Sequence, residues 1–138
     1  MKNFITIFVV LISLVGTAQN NNVPSAIRTA FTKAFDNVSD VKWEKEGKSY
    51  EVSFVQNANK MSALIDMKGN ILETETELKI SSLSPQIINY IKDHYKGKEL
   101  IGAAKIINAA GILNYEAAIK GKDILFDANG TFLKEVKE

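Results

Sequence analysis

The sequence contains no cysteine and a single histidine. The first absence excludes disulfides, thiolate catalysis, cysteine-ligated zinc and lipid attachment at a cysteine. The second leaves no His-rich metal site. Net charge is missing as well: 17 basic residues face 16 acidic ones, for a formal charge of +1. Nonspecific nucleic-acid binding needs a strong positive field, which this balance does not supply. No phosphate loop, nucleophile elbow or nucleotide fingerprint occurs. What is present is ordinary: 46% hydrophobic and 24% charged residues in 138, the make-up of one globular domain and not of a disordered or polytopic membrane protein.

The longest apolar run lies at the start. Phe4 to Val15 is interrupted only by Thr6 and Ser13, follows the positive Lys2, and ends in Gly16-Thr17-Ala18. A charged n-region, a short apolar core and small residues at a cleavage position make a secretory signal peptide over residues 1–18. The run is short for a spanning helix, which needs about 20 apolar residues. The reading predicts a mature chain over 19–138 that is periplasmic or secreted from a bacterium, with no stable membrane insertion after cleavage.

The rest reads as one unit written twice. Pro24 and Pro85 each open an apolar-periodic stretch, and Ile65-Asp66-Met67-Lys68-Gly69 returns as Phe126-Asp127-Ala128-Asn129-Gly130 at the same offset. Tyr50-Glu51-Val52 returns as Tyr115-Glu116-Ala117 slightly further on, which implies loop-length changes between repeats at about 23–80 and 82–138. The first helix is expected over 24–36, with Ile27, Ala30, Phe31, Ala34 and Phe35 on one side. The second is expected over 85–96, capped by Ser84 and opened by Pro85, with Ile87, Ile88, Ile91 and Tyr95 as its stripe. Gly97 suits the left-handed residue that ends it. Elsewhere the period is two, as in Tyr50, Val52 and Phe54. Short loops between neighbouring strands imply antiparallel pairing. The fold expected is α+β: two tandem helix-plus-β-meander repeats, both helices on one face of a curved antiparallel sheet of roughly eight strands. A repeat of this size buries too little alone, so the copies should share a sheet or a core.

This pattern resembles the PepSY-like, β-lactamase-inhibitor-like family. The residues that carry the resemblance are Pro24 with its Ala/Phe helix, Val41-Lys42-Trp43, Tyr50 to Phe54 and Ile65 to Asn70. The second copy adds Leu83-Ser84-Pro85, Tyr90 to Tyr95, Tyr115 to Ala117 and Phe126 to Gly130. The resemblance implies a small exported bacterial protein without catalysis, a binding or inhibitor-like module for a protein or peptide of the cell envelope. It carries over no functional residues. The inhibitor's own disulfides have no counterpart here.

The residues themselves add weight to that reading. Asp66 and Asp127, each followed by Gly three positions on, are read as turn residues, because a calcium loop needs several oxygen ligands within about twelve residues. His94 is read as a surface or half-buried histidine, since Asp93 beside it points elsewhere on a helix. Trp43, Tyr50 and Phe54 are read as core. Glu73, Glu75 and Glu77 share one strand face, either as a solvated guard against edge pairing or as a patch for a cation or a basic partner. Three equivalent exposed glutamates would offer no acid/base asymmetry. Leu64 and Leu125 match between the copies and are expected to project from the face opposite the helices, among polar residues including Glu51 and Glu116, as a partner-binding patch. No catalytic, cofactor or metal residue is expected. Two other functions stay open: a structural protein that self-assembles into a homo-oligomer, and a hydrolase built around His94, Asp93 and the glutamates.

Overall fold

A computed structural model describes residues 22–137; the signal-peptide reading of residues 1–18 lies outside the described residues. The order of elements runs twice through one helix and four strands. Helix α1 spans Ser25–Ala34 and is followed by β1 (Val38–Glu46), β2 (Ser49–Gln56), β3 (Asn59–Asp66) and β4 (Ile71–Glu77). A 3-10 turn at Ile80–Ser82 leads into α2 (Pro85–His94), then β5 (Leu100–Asn108), β6 (Leu113–Ile119), β7 (Lys122–Asp127) and β8 (Phe132–Lys137). All eight strands form one antiparallel sheet in sequence order. The seam between the two runs is β4 against β5, with Glu75 opposite Ile106. Among the described residues no helix is long and apolar enough to cross a membrane.

Both helices lie on the same face, and each covers its own strands. Ile27 and Phe31 of α1 bury against Trp43, Val52, Phe54, Ala63 and Ile65. Phe31 meets the Trp43 and Phe54 rings edge-on at centroid distances of 5.3 and 5.1 Å, a favoured aromatic geometry. Ile87 and Ile91 of α2 bury against Ala103, Ala117, Ile119, Ile124 and Phe126. The expected core role of Trp43, Tyr50 and Phe54 therefore holds, and the Tyr50 hydroxyl donates to the Asn22 carbonyl at 3.1 Å. The two runs share the sheet, while their helix-side apolar clusters are separate.

Helix α2 begins as its sequence dictates. The Ser84 hydroxyl accepts from the Ile87 amide at 3.3 Å, and Pro85 occupies the first turn. At the other end the helix stops at His94, two residues before the expected limit, with the Tyr95 amide donating to the Ile91 carbonyl; Gly97, at φ 74°, takes its left-handed conformation in the turn that follows. The two Asp-x-x-Gly turns behave alike. Oδ1 of Asp66 accepts from the Lys68 and Asn70 amides, and Oδ1 of Asp127 from the Asn129 and Thr131 amides, all at 2.9 Å. Each turn then tucks its glycine under a helix. Gly69 and Gly130 both have φ 84°, and a Cβ at these positions would stand 3.3 Å from the Ala30 methyl and 3.1 Å from the Ser84 Oγ. Gly130→Ala should therefore cost on the order of 2 kcal/mol, from left-handed strain together with a disturbed N-cap. Urea unfolding of the two proteins measures that difference.

Candidate functional site

Strand register decides what the uncovered face presents. Val52 pairs with Ala63 under α1, so their neighbours Glu51 and Leu64, also paired, point the other way. Glu44 of β1 lies opposite Glu51, and Leu64 lies opposite Glu73. Across the seam, Ala104 pairs with Glu116 and Glu116 with Leu125. All seven candidates, Leu64, Leu125, Glu51, Glu116, Glu73, Glu75 and Glu77, thus fall on the face opposite the helices. Asp123, which pairs with Ala118 beside Glu116, joins them.

The face is not flat, and that corrects several expectations. Ile106 of β5 and Leu125 of β7 form one apolar cluster with Val136 of β8 although β6 runs between β5 and β7. Lys134 of β8 acts electrostatically on Glu73 of β4, with three strands between them. The Ile106–Leu125 packing and the reach of Lys134 to Glu73 are those of a sheet that curls toward its open side, an extension of ordinary strand twist. Leu125 is consequently 1% exposed and belongs to a small core, not to an exposed patch. Leu64 is half-buried. Glu51, Glu116 and Asp123 are 5%, 2% and 2% exposed, where a polar rim had been expected for the first two. Glu73, Glu75 and Glu77 do not guard an edge, because β4 is an inner strand and the edges are β1 and β8. Nor are they equivalent: Glu77 is exposed and in contact with Lys60, while Glu73 and Glu75 are half-buried.

Burial changes their chemistry. Loss of solvation pushes Glu75 up to about 8, and the carboxylates of Glu51, Glu73, Asp123 and Glu77 push it in the same direction. Burial raises Glu51 to about 7 against a hydrogen bond from Ser62, with Glu46, Glu44 and Glu73 adding to the rise. Burial likewise holds Glu73 at about 7, with Lys134 acting against it. Carboxyl groups that repel one another on a half-desolvated surface favour their neutral forms. They also favour any cation that compensates them.

His94 and Asp93 of the hydrolase alternative do not join the glutamates on this face. His94 is exposed on α2, stacks on Tyr90 at a centroid distance of 3.9 Å, and places Nδ1 3.0 Å from the Tyr90 carbonyl. Asp93 is exposed on the same helix. What sequence reasoning missed is Glu44, Glu46 and Asp123. The alternation of Lys42 with Glu44 in β1 resembles any solvated strand, and only the register places Glu44 against Glu51.

The family model described as "Putative beta-lactamase-inhibitor-like, PepSY-like" matches twice, over residues 17–73 and 48–134. No match was found among curated proteins. The fold is that of several solved bacterial structures. One from Bacteroides eggerthii, described among "putative periplasmic proteins", has a TM-score of 0.73 at 12% identity and covers 83% of this chain and 88% of its own. A DUF2874 family protein from Bacteroides uniformis gives 0.69 at 16% identity, covering 83% and 89%. A BLIP-like protein from Bacteroides fragilis gives 0.66 at 24% identity, covering 85% and 89%. With both runs of helix and strands matched by one family model, the chain belongs to the PepSY-like, β-lactamase-inhibitor-like family.

Proposed function

We propose that the chain is an exported, non-catalytic binding module whose open sheet face takes a protein or peptide partner carrying basic side chains. The observation that supports this most directly is the convergence on Glu75 of carboxyl groups from β2, β4 and β7, with Leu64 paired between two of them, Glu51 and Glu73. Their mutual repulsion is a standing cost that a cationic partner would relieve. A periplasmic or secreted setting agrees with the signal-peptide layout of residues 1–18 and with the description of the related Bacteroides eggerthii protein.

Leu64→Arg places bulk and positive charge in the centre of the face. It should reduce capture of the envelope partner at least tenfold, whereas Lys92→Glu on the exposed side of α2 should leave it unchanged. Crosslinked capture from the native envelope with mass identification reads both. Equal capture by the two variants would remove the open face from the function.

A further inference from the structure

One corner of the open face has a composition suited to an ion. The carboxylates of Glu44, Glu46 and Glu51 each bring an oxygen atom within 4.8 Å of the others. Glu44 and Glu46 are successive open-face residues of β1, and Glu51 faces Glu44 across the β1–β2 pair. The hairpin turn at Gly47 and Lys48 joins the two strands, so the three groups sit at one stiff end of the sheet. Glu51 is 5% exposed, and its Oε2 atom has no hydrogen-bond partner. A buried carboxylate oxygen left without a donor costs free energy that a hydrogen bond or a bound ion would remove. The Ser62 hydroxyl already bonds the Glu51 carboxyl and helps to hold it in place. Glu51 therefore stands as a fixed ligand, and the more exposed Glu44 and Glu46 are free to close on it.

We propose that Glu44, Glu46 and Glu51 bind a single hard divalent cation of calcium's class. Calcium takes oxygen ligands at 2.3–2.6 Å, so two oxygens on opposite sides of one ion lie about 4.8 Å apart. The three carboxylates can therefore reach a common ion without any change in strand register. They supply up to six oxygens, and water completes the shell on the exposed side. A three-carboxylate site at a sheet edge falls in the range of extracellular calcium modules, with Kd on the order of 10⁻⁴–10⁻³ M. The site adjoins the partner surface of the proposed function and shares Glu51 with it, but its test uses the metal alone and does not require the partner.

Trp43 immediately precedes Glu44 and is the single tryptophan of the sequence. A calcium-sized lanthanide bound at Glu44 should accept energy from it. Terbium titrated into the purified mature chain, with excitation of the indole, should give luminescence that saturates at one ion per chain. Excess calcium should quench it. Glu51→Gln and Glu44→Gln should each weaken terbium binding at least tenfold, and Glu77→Gln on the same face should not. Glu44 is exposed and Glu51→Gln removes a charge from a buried position, so both variants should remain folded, as circular dichroism will verify. Luminescence that never saturates, or saturates equally in Glu44→Gln and the parent, overturns the proposal.

Discussion

Glu75→Gln should stabilise the folded protein at pH 8.5 by about 2–4 kcal/mol and leave it nearly unchanged at pH 5. The expectation follows from the raised carboxyl of Glu75, held at about 8 by burial and by its acidic neighbours against an ordinary value of 4.5. In the unfolded chain the group ionises near 4.5; in the folded chain it keeps its proton until about 8. The folded state thus binds the extra proton throughout that interval, and stability falls as pH rises across it. One unit of difference is worth about 1.4 kcal/mol, and the range given allows for the partial exposure of the side chain. Glu51 and Glu73, both at about 7, act in the same sense over a narrower interval. Asp66 and Glu135 act oppositely: hydrogen bonds from Asn70 and from Lys122 hold them below their usual range, so their contribution is lost on acidification below about pH 4. The melting temperature should accordingly peak near pH 5, decline through neutrality and level off above pH 8. Thermal unfolding of the parent and of Glu75→Gln across that range gives the comparison. Parallel curves would mean that Glu75 is solvated like an ordinary surface glutamate.

Leu125→Ala should cost about 2–4 kcal/mol, the usual penalty for truncating a fully buried leucine. The same change at Leu64 should cost less than about 1 kcal/mol, because that side chain is only half-buried. Leu125 is 1% exposed and packs against Ile106 and Val136. Leu125→Asp would place a further carboxylate beside the buried Glu116 and Asp123, and should prevent folding altogether. Denaturant midpoints of Leu64→Ala and Leu125→Ala decide the matter. Equal small losses would return Leu125 to the surface and contradict the curled sheet.

Local features of this fold were legible because they depend on neighbouring residues. Ser84 and Pro85 mark the start of α2 through capping chemistry alone, and Asp66 and Asp127 with their following glycines mark two turns. The alternation of Tyr50, Val52 and Phe54 identified a strand and the side it buries. The placement of Leu64 and Leu125 on a common face also followed from alternation. Exposure did not, because it depends on how far the sheet curls, and no single strand records that. Leu125 meets Ile106 only when β5 and β7 bend toward each other, and Glu75 is pushed upward first by burial in that curled sheet and then by the carboxylates of neighbouring strands, Glu51 and Asp123. The pattern of Glu73, Glu75 and Glu77 looks the same on an edge strand as on an inner one; the strand order alone places β4 inside. The triad of Glu44, Glu46 and Glu51 was hidden for a related reason, since it exists only once the β1–β2 register is fixed.

The proposed function stands or falls on the open, acidic face of the sheet as the binding surface. The most direct measurement places a photo-crosslinking amino acid at position 64 in one version of the exported chain and at position 92 in another, with irradiation in the native host. A discrete heteromeric adduct, diminished by raised salt, is expected from position 64 and none from position 92. An adduct from position 92 alone, or only a covalent dimer of this chain from position 64, would contradict the proposed function.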